Sequence, residues 1–151
     1  MRLAQHIETH IHTGDAADTV TLDYEARFLR RKRLVSDGGE PFLVELAETQ
    51  SLNQGEGFRL DDGRIIAVMA AAEPLLAVRH GNLARIAWHV GNRHTPCQIA
   101  DDHILIREDK VLQAMLEGLG ASVAQVIAPF TPEGGAYGCL LYTSPSPRDS
   151  L

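Results

Sequence analysis

Gly91-Asn92-Arg93-His94-Thr95-Pro96 joins a helical pattern to a strand pattern, and the fold turns on how it is read. Upstream, Leu83, Ile86, Ala87 and Val90 recur at i, i+3, i+4 and i+7, one apolar stripe along a helix. Gly91 stands where a helix C-cap favours a residue free to take positive φ, so the helix is expected to end on it. Pro96 disfavours helix at Thr95 and sends the chain on extended. The corner therefore carries Asn92, Arg93 and His94 on a short, stiff link with little chance of burial. His94 is the candidate metal ligand, because neutral imidazole is the commonest protein ligand for borderline transition metals. A lone loop histidine is more often just solvated, so spacing alone does not assign the role.

Working outward, the second half alternates strands and helices. Leu75 to Arg79 reads as an apolar strand, with Asn82 as the N-cap of the helix above. Cys97 to Ala100 is a strand, Asp101-Asp102 a turn, and His103 to Ile106 another strand. Asp109 can cap a second helix whose stripe is Val111, Leu112, Met115, Leu116 and Leu119, with Gly120 ending it. Ser122 to Ile127 is a last strand, so the order is βαββαβ, the ferredoxin-like split motif.

Before Glu73-Pro74 the pattern is β throughout. Thr19-Val20-Thr21-Leu22 alternates, Asp23 to Phe28 continues or bends that strand, and Arg30 to Val35 and Phe42 to Leu46 follow. Asp37-Gly38-Gly39 and Asp62-Gly63 fall between strand patterns, as hairpin turns do. The expected class is α+β: a small all-β domain over residues 1–73, a ferredoxin-like βαββαβ domain over 74–138, and a distinct tail over 139–151.

Composition narrows the function. A chain of 151 residues is one domain or two small ones, and 44% hydrophobic content can supply a core. With 14 basic against 20 acidic residues the net charge is −6, which argues against nucleic acid or anionic membrane as partner. No apolar run approaches a membrane span, and Met1 to His6 lacks the apolar centre of a signal peptide. Two cysteines are too few for a disulfide framework, so a cytoplasmic setting is expected.

Gly91-Asn92-Arg93-His94-x-Pro96, after a helix and ahead of Gln98-Ile99, resembles the signature of the urease accessory protein UreE family, which are nickel metallochaperones. Asp23-Tyr24-Glu25-Ala26-Arg27 with Arg31-Lys32-Arg33, Leu60-Asp61-Asp62-Gly63, and Val68-x-Ala70-Ala71-x-Glu73 are similar to that family's first domain. Asp109-Lys110-Val111-Leu112-x-x-Met115-Leu116, Leu119-Gly120 and Gly134-Gly135-Ala136-Tyr137-Gly138 are similar to its second. The resemblance implies a carrier of Ni(II), with zinc or copper as alternatives in vitro, rather than an enzyme. It also implies a homodimer through the second domain, with His94 from each subunit meeting at the two-fold axis. The implied partners are the urease apoprotein and other urease accessory proteins, including the GTPase UreG.

His89, His80 and His103 are further ligand candidates, His103 lying just after Asp101-Asp102. His6, His10 and His12 read as solvated histidines around a polar first strand, and Cys97 as a small buried hydrophobe. Arg30, Arg31, Lys32 and Arg33 are either a charged edge or a surface for docking a partner protein. The family's first domain resembles a peptide-binding module, which favours docking. The tail from Cys139 to Leu151 has no histidine, unlike the histidine-rich tails common in the family, and reads as a frameshift or assembly scar. Two other classes stay open: a peptide-binding scaffold module in which His94 is incidental, and a small metal-dependent hydrolase using His94 with Asp101 or Asp102. The second lacks any nucleophile motif or phosphate loop.

Overall fold

A computed structural model describes residues 1–133; the Gly134 to Gly138 segment and the tail from Cys139, expected to be unnecessary for folding, lie outside the described residues. The chain divides into two compact units, the first ending at Ala72 and the second beginning at Glu73.

The first unit is one six-stranded sheet. Its strands are β1 (Arg2–Glu8), β2 (Asp18–Leu22), β3 (Phe28–Val35), β4 (Pro41–Ser51), β5 (Gly57–Leu60) and β6 (Ile65–Ala70). They lie in the order β2-β6-β5-β1-β4-β3. β3–β4 and β5–β6 are antiparallel hairpins. Their turns contain Asp37-Gly38-Gly39 and Asp62-Gly63, where Gly39 and Gly63 take φ of 98° and 90°. β1–β4 and β2–β6 pair parallel, bringing together segments far apart in sequence. The inner face is aliphatic: Val20, Leu34, Val44, Leu60, Ile66 and Val68 surround Phe42 and Phe58, whose rings meet at 5.8 Å. Each such fully buried side chain contributes about 1.5–3 kcal/mol.

Between β2 and β3 the chain bends through a 3-10 turn at Glu25–Arg27. Arg27 is fully buried there. Its Nε donates to Leu52 O at 2.9 Å, its Nη1 to Leu22 O at 3.0 Å, and its guanidinium lies 5.8 Å from the Tyr24 ring centre. Asp18 and Asp37 fasten the β3–β4 turn to β2. Asp18 accepts from Ser36 Oγ (2.6 Å), and Asp37 accepts from the hydroxyls of Thr19 (2.6 Å) and Thr21 (2.8 Å). β3 is an outer strand of the sheet, and Arg30, Arg31, Lys32 and Arg33 are all exposed on it. Lys32 pairs with buried Val44, so it points to the core side at the rim, a charge placement that deters edge-to-edge stacking.

The second unit runs β7 (Ala72–Arg79), α1 (Leu83–Asn92), β8 (Gln98–Ile99), β9 (Ile104–Arg107), α2 (Lys110–Gly118) and β10 (Ser122–Pro129). The sheet order β10-β7-β9-β8 with this βαββαβ sequence is the ferredoxin-like arrangement. Pro74 does not interrupt β7, and the ladder with β9 begins one residue later, at Leu75. Both N-caps form as expected, Asn82 Oδ1 accepting from Arg85 N (3.1 Å) and Asp109 Oδ1 from Leu112 N (3.0 Å). Ile86 and Val90 of α1, and Leu112 and Leu116 of α2, fill the core with Leu76, Val78, Ile104 and Ile106. Two expectations fail. Val111 is 77% exposed, one position off the α2 stripe. Gly91 stays helical, and the residue that turns left-handed is His94 (φ 57°), because α1 continues to Asn92.

Candidate metal centre

The end of α1 is built by two backbone bonds. His94 N–H donates to Gly91 O at 2.9 Å and Thr95 N–H to Val90 O at 3.3 Å. α2 ends the same way: Gly120 N–H donates to Glu117 O and Ala121 N–H to Leu116 O, both at 3.0 Å. The left-handed position in that motif falls to Gly120 (φ 91°) in α2 and to His94 in α1. A side chain there costs about 1–2 kcal/mol relative to glycine. His94 is exposed, and the preceding Arg93 reaches α2 through Nε to Met115 Sδ at 3.2 Å. The corner thus hangs on Val90, a core residue, and presents an imidazole at the carbonyl end of α1. That end carries the negative pole of the helix dipole, which favours a cation.

The other histidines are differently placed. His80 uses both ring nitrogens: Nδ1 accepts from Asn82 N at 2.8 Å, leaving Nε2–H to donate to Leu119 O at 3.2 Å. It precedes the ten-residue helix that His94 follows, about 15 Å away along the axis. His80 ties α1 to the end of α2 and does not converge on His94. His89 is half-buried, with the exposed Trp88 ring edge-on to it at 5.0 Å. His103 follows the β8–β9 turn; its Nδ1 lies 2.6 Å from Asp102 Oδ1, and this contact holds the Asp102 carboxyl below the usual range. Nδ1 of His103 is thereby committed, and a metal would have to bind Nε2. Cys97 is 8% exposed, and burial, with the charge of Glu133, pushes its thiol up, so it stays protonated and inert.

In the first unit, His6 lies on β1, while His10 and His12 lie in the loop after it, with His10 left-handed (φ 57°). All three are exposed, in keeping with solvated histidines around the first strand. Among the described residues, no three His, Cys, Asp or Glu side chains cluster closely enough to hold a metal ion. A single chain thus supplies, from the described residues, no complete ligand set. The carbonyls of Val90 and Gly91 that hold the His94 corner were not legible in the sequence; the signal was Pro96 two residues on. No helix among the described residues is long and apolar enough to cross a membrane.

The family model of the UreE N-terminal domain matches residues 2–71, and that of the UreE C-terminal domain matches residues 73–142. The chain is similar to the urease accessory protein UreE of Rhodobacter capsulatus, 61% identical over 123 residues, or 82% of this chain and 78% of that one. It is also similar to the UreE of Ruegeria pomeroyi, 55% identical over 127 residues (84% and 85%). A third relative is the UreE of Paracoccus denitrificans, 61% identical over 119 residues (79% and 76%). One family's two domains thus match residues 2–71 and 73–142, and the chain belongs to the UreE family of urease accessory proteins, not to an enzyme family.

Proposed function

We propose that the chain is a metallochaperone that carries Ni(II) between two copies of itself and hands it to apo-urease. The observation that carries this reading is His94: an exposed imidazole on a rigid corner, in a unit whose described residues offer no closed ligand set. A two-fold axis through that corner doubles the ligand from one residue. Two imidazoles with oxygen or nitrogen from elsewhere suit nickel, and an incomplete shell at an interface suits release to a partner better than a closed structural site. Zinc and copper would also bind in vitro, so selectivity comes from supply and partners. His103 through Nε2, and His89, remain second-rank ligands; His80 leaves the set because its nitrogens are engaged. Calorimetric titration of nickel into wild type and His94→Ala tests this, with light scattering alongside. The tight site should vanish in His94→Ala while the dimer persists. Wild-type affinity in that variant would end the reading.

The urease apoprotein and the GTPase UreG are the proposed partners. Arg30, Arg31, Lys32 and Arg33 favour docking on the first unit, being exposed on an outer strand of a chain whose net charge is −6. Reversing Arg30 and Arg33 to Glu should slow association with an acidic partner surface and flatten its salt dependence, with far-UV circular dichroism unchanged. An unaltered association rate would assign the run to edge protection alone.

A further inference from the structure

We infer that Pro96 is a positioning residue of the proposed nickel site: with the left-handed cap of α1 it fixes where the His94 imidazole stands, at the expense of the fold's own stability. This rests on the assignment of His94 as a ligand. The two helices of the second unit end in the same pair of hydrogen bonds, so backbone requirements at the two caps are alike. α2 meets them with Gly120, whereas α1 places a histidine at the equivalent left-handed position. Fold stability by itself favours glycine there. A side chain kept on a strained backbone position points to a use for that side chain.

The presentation is fixed from both sides. Behind His94, Val90 O accepts the Thr95 N–H and Gly91 O accepts the His94 N–H, and Val90 is fully buried. Ahead of it, Pro96 disfavours the helical region at Thr95. Without the proline, Thr95 could continue the helix and His94 could relax to negative φ. The imidazole would then swing off the corner onto the helix surface. With it, the backbone on both sides of His94 is held and the imidazole is placed from a fixed Cα. For a site made by two copies of one residue, any freedom at that residue enters twice, so a fixed cap matters more than it would in a site built within one chain.

Nickel titrations of the full chain as wild type, Pro96→Ala, His94→Ala and His94→Gly test this, with metal-free melting curves and light-scattering mass for each. Pro96→Ala keeps every candidate ligand. It should bind nickel at least about ten-fold more weakly, with unchanged mass and unchanged circular dichroism. His94→Gly should lose the tight site and yet melt higher than His94→Ala. The proposal is overturned if Pro96→Ala binds as tightly as wild type, if its weakening tracks dissociation to monomer, or if His94→Gly melts no higher than His94→Ala. If His94→Ala itself binds nickel like wild type, the ligand assignment fails and the positioning role with it. If His94→Ala loses the site while Pro96→Ala does not weaken it, only the positioning role fails.

Discussion

Replacing Arg27 by methionine should weaken the first unit more than any surface change in it. The guanidinium is fully buried and serves two carbonyls, Leu52 O and Leu22 O. Leu22 O also accepts Ala71 N–H at 2.9 Å, so it stays satisfied in the variant. Leu52 O loses the donor it has from Arg27, at about 1–3 kcal/mol for a buried polar group. Losing the cation over Tyr24 adds about 0.5–2 kcal/mol, while the methionine recovers the packing of the arginine stem. The expected loss is about 2–4 kcal/mol, a large share of the 5–15 kcal/mol by which domains are ordinarily stable. For a unit of this size that is a fall in Tm of about 10 °C or more. Urea unfolding followed by far-UV circular dichroism measures it, with Arg33→Met on the exposed strand as control, expected within about 0.5 kcal/mol of wild type. Trp88, the one tryptophan, sits on α1 in the second unit, so its emission gives a separate reading of that unit. An Arg27→Met chain as stable as the Arg33→Met control would refute the view that Arg27 pins the bend between β2 and β3.

Asp18 gives a pH prediction. The Ser36 hydroxyl, with the N–H groups of Thr19 and Gly38, holds its carboxyl below the ordinary aspartate value of 3.8. The unfolded chain therefore takes up the proton first. The stabilisation is fully present above 3.8 and is lost as the pH falls through the lower folded value. Asp18→Asn should have a shallower loss of stability below that point in an acid titration; parallel slopes for the two chains would count against it. Gly38→Ala places a β-carbon 2.5 Å from Asp18 Oδ2, so it should break the same turn and lower Tm, whereas a neutral result would mean the loop shifts freely. Light scattering at micromolar concentrations should give a dimer with or without nickel, and a persistent monomer would rule out a shared His94 site. Protons and metal compete for the imidazole lone pair, so nickel should bind more weakly in acid than at neutral pH; equal binding would point away from imidazole ligands.

The second unit was the more legible half because its signals are local. Asn82, Asp109, Gly120 and the two apolar stripes mark element ends and faces without knowledge of anything distant. The misreadings there are local as well. Val111 sits beside the true α2 stripe, and the capping rule pointed at Gly91 because it names glycine, not the strained histidine three residues later. In the first unit the strands could be read but not their partners, since alternation does not say that β1 lies parallel to β4 or β2 to β6. Arg27 was missed because charge suggests exposure, and nothing nearby in sequence announces Leu52 O as its acceptor. At the candidate site His94 stood out through its corner. The remainder of a coordination shell was not legible, because the described residues of one chain do not assemble one.

The parallel pairings of the first unit also set the order in which the protein can be made. Asp18 to Leu22 has its ladder partner only when Ile66 to Ala70 exist, and Arg2 to Ala4 must wait for Phe42 to Val44. During synthesis the N-terminal sheet therefore cannot close until almost its whole length has left the ribosome, and its slow step is the search for distant strands. The βαββαβ unit has two short helices and a β8–β9 hairpin that form from neighbours, although its β7 must likewise wait for β10 to complete the sheet. A nascent chain would thus pass through an interval with an open, strand-rich N-terminal half, in which the cations of β3 are the main guard against pairing with its neighbours on the same message.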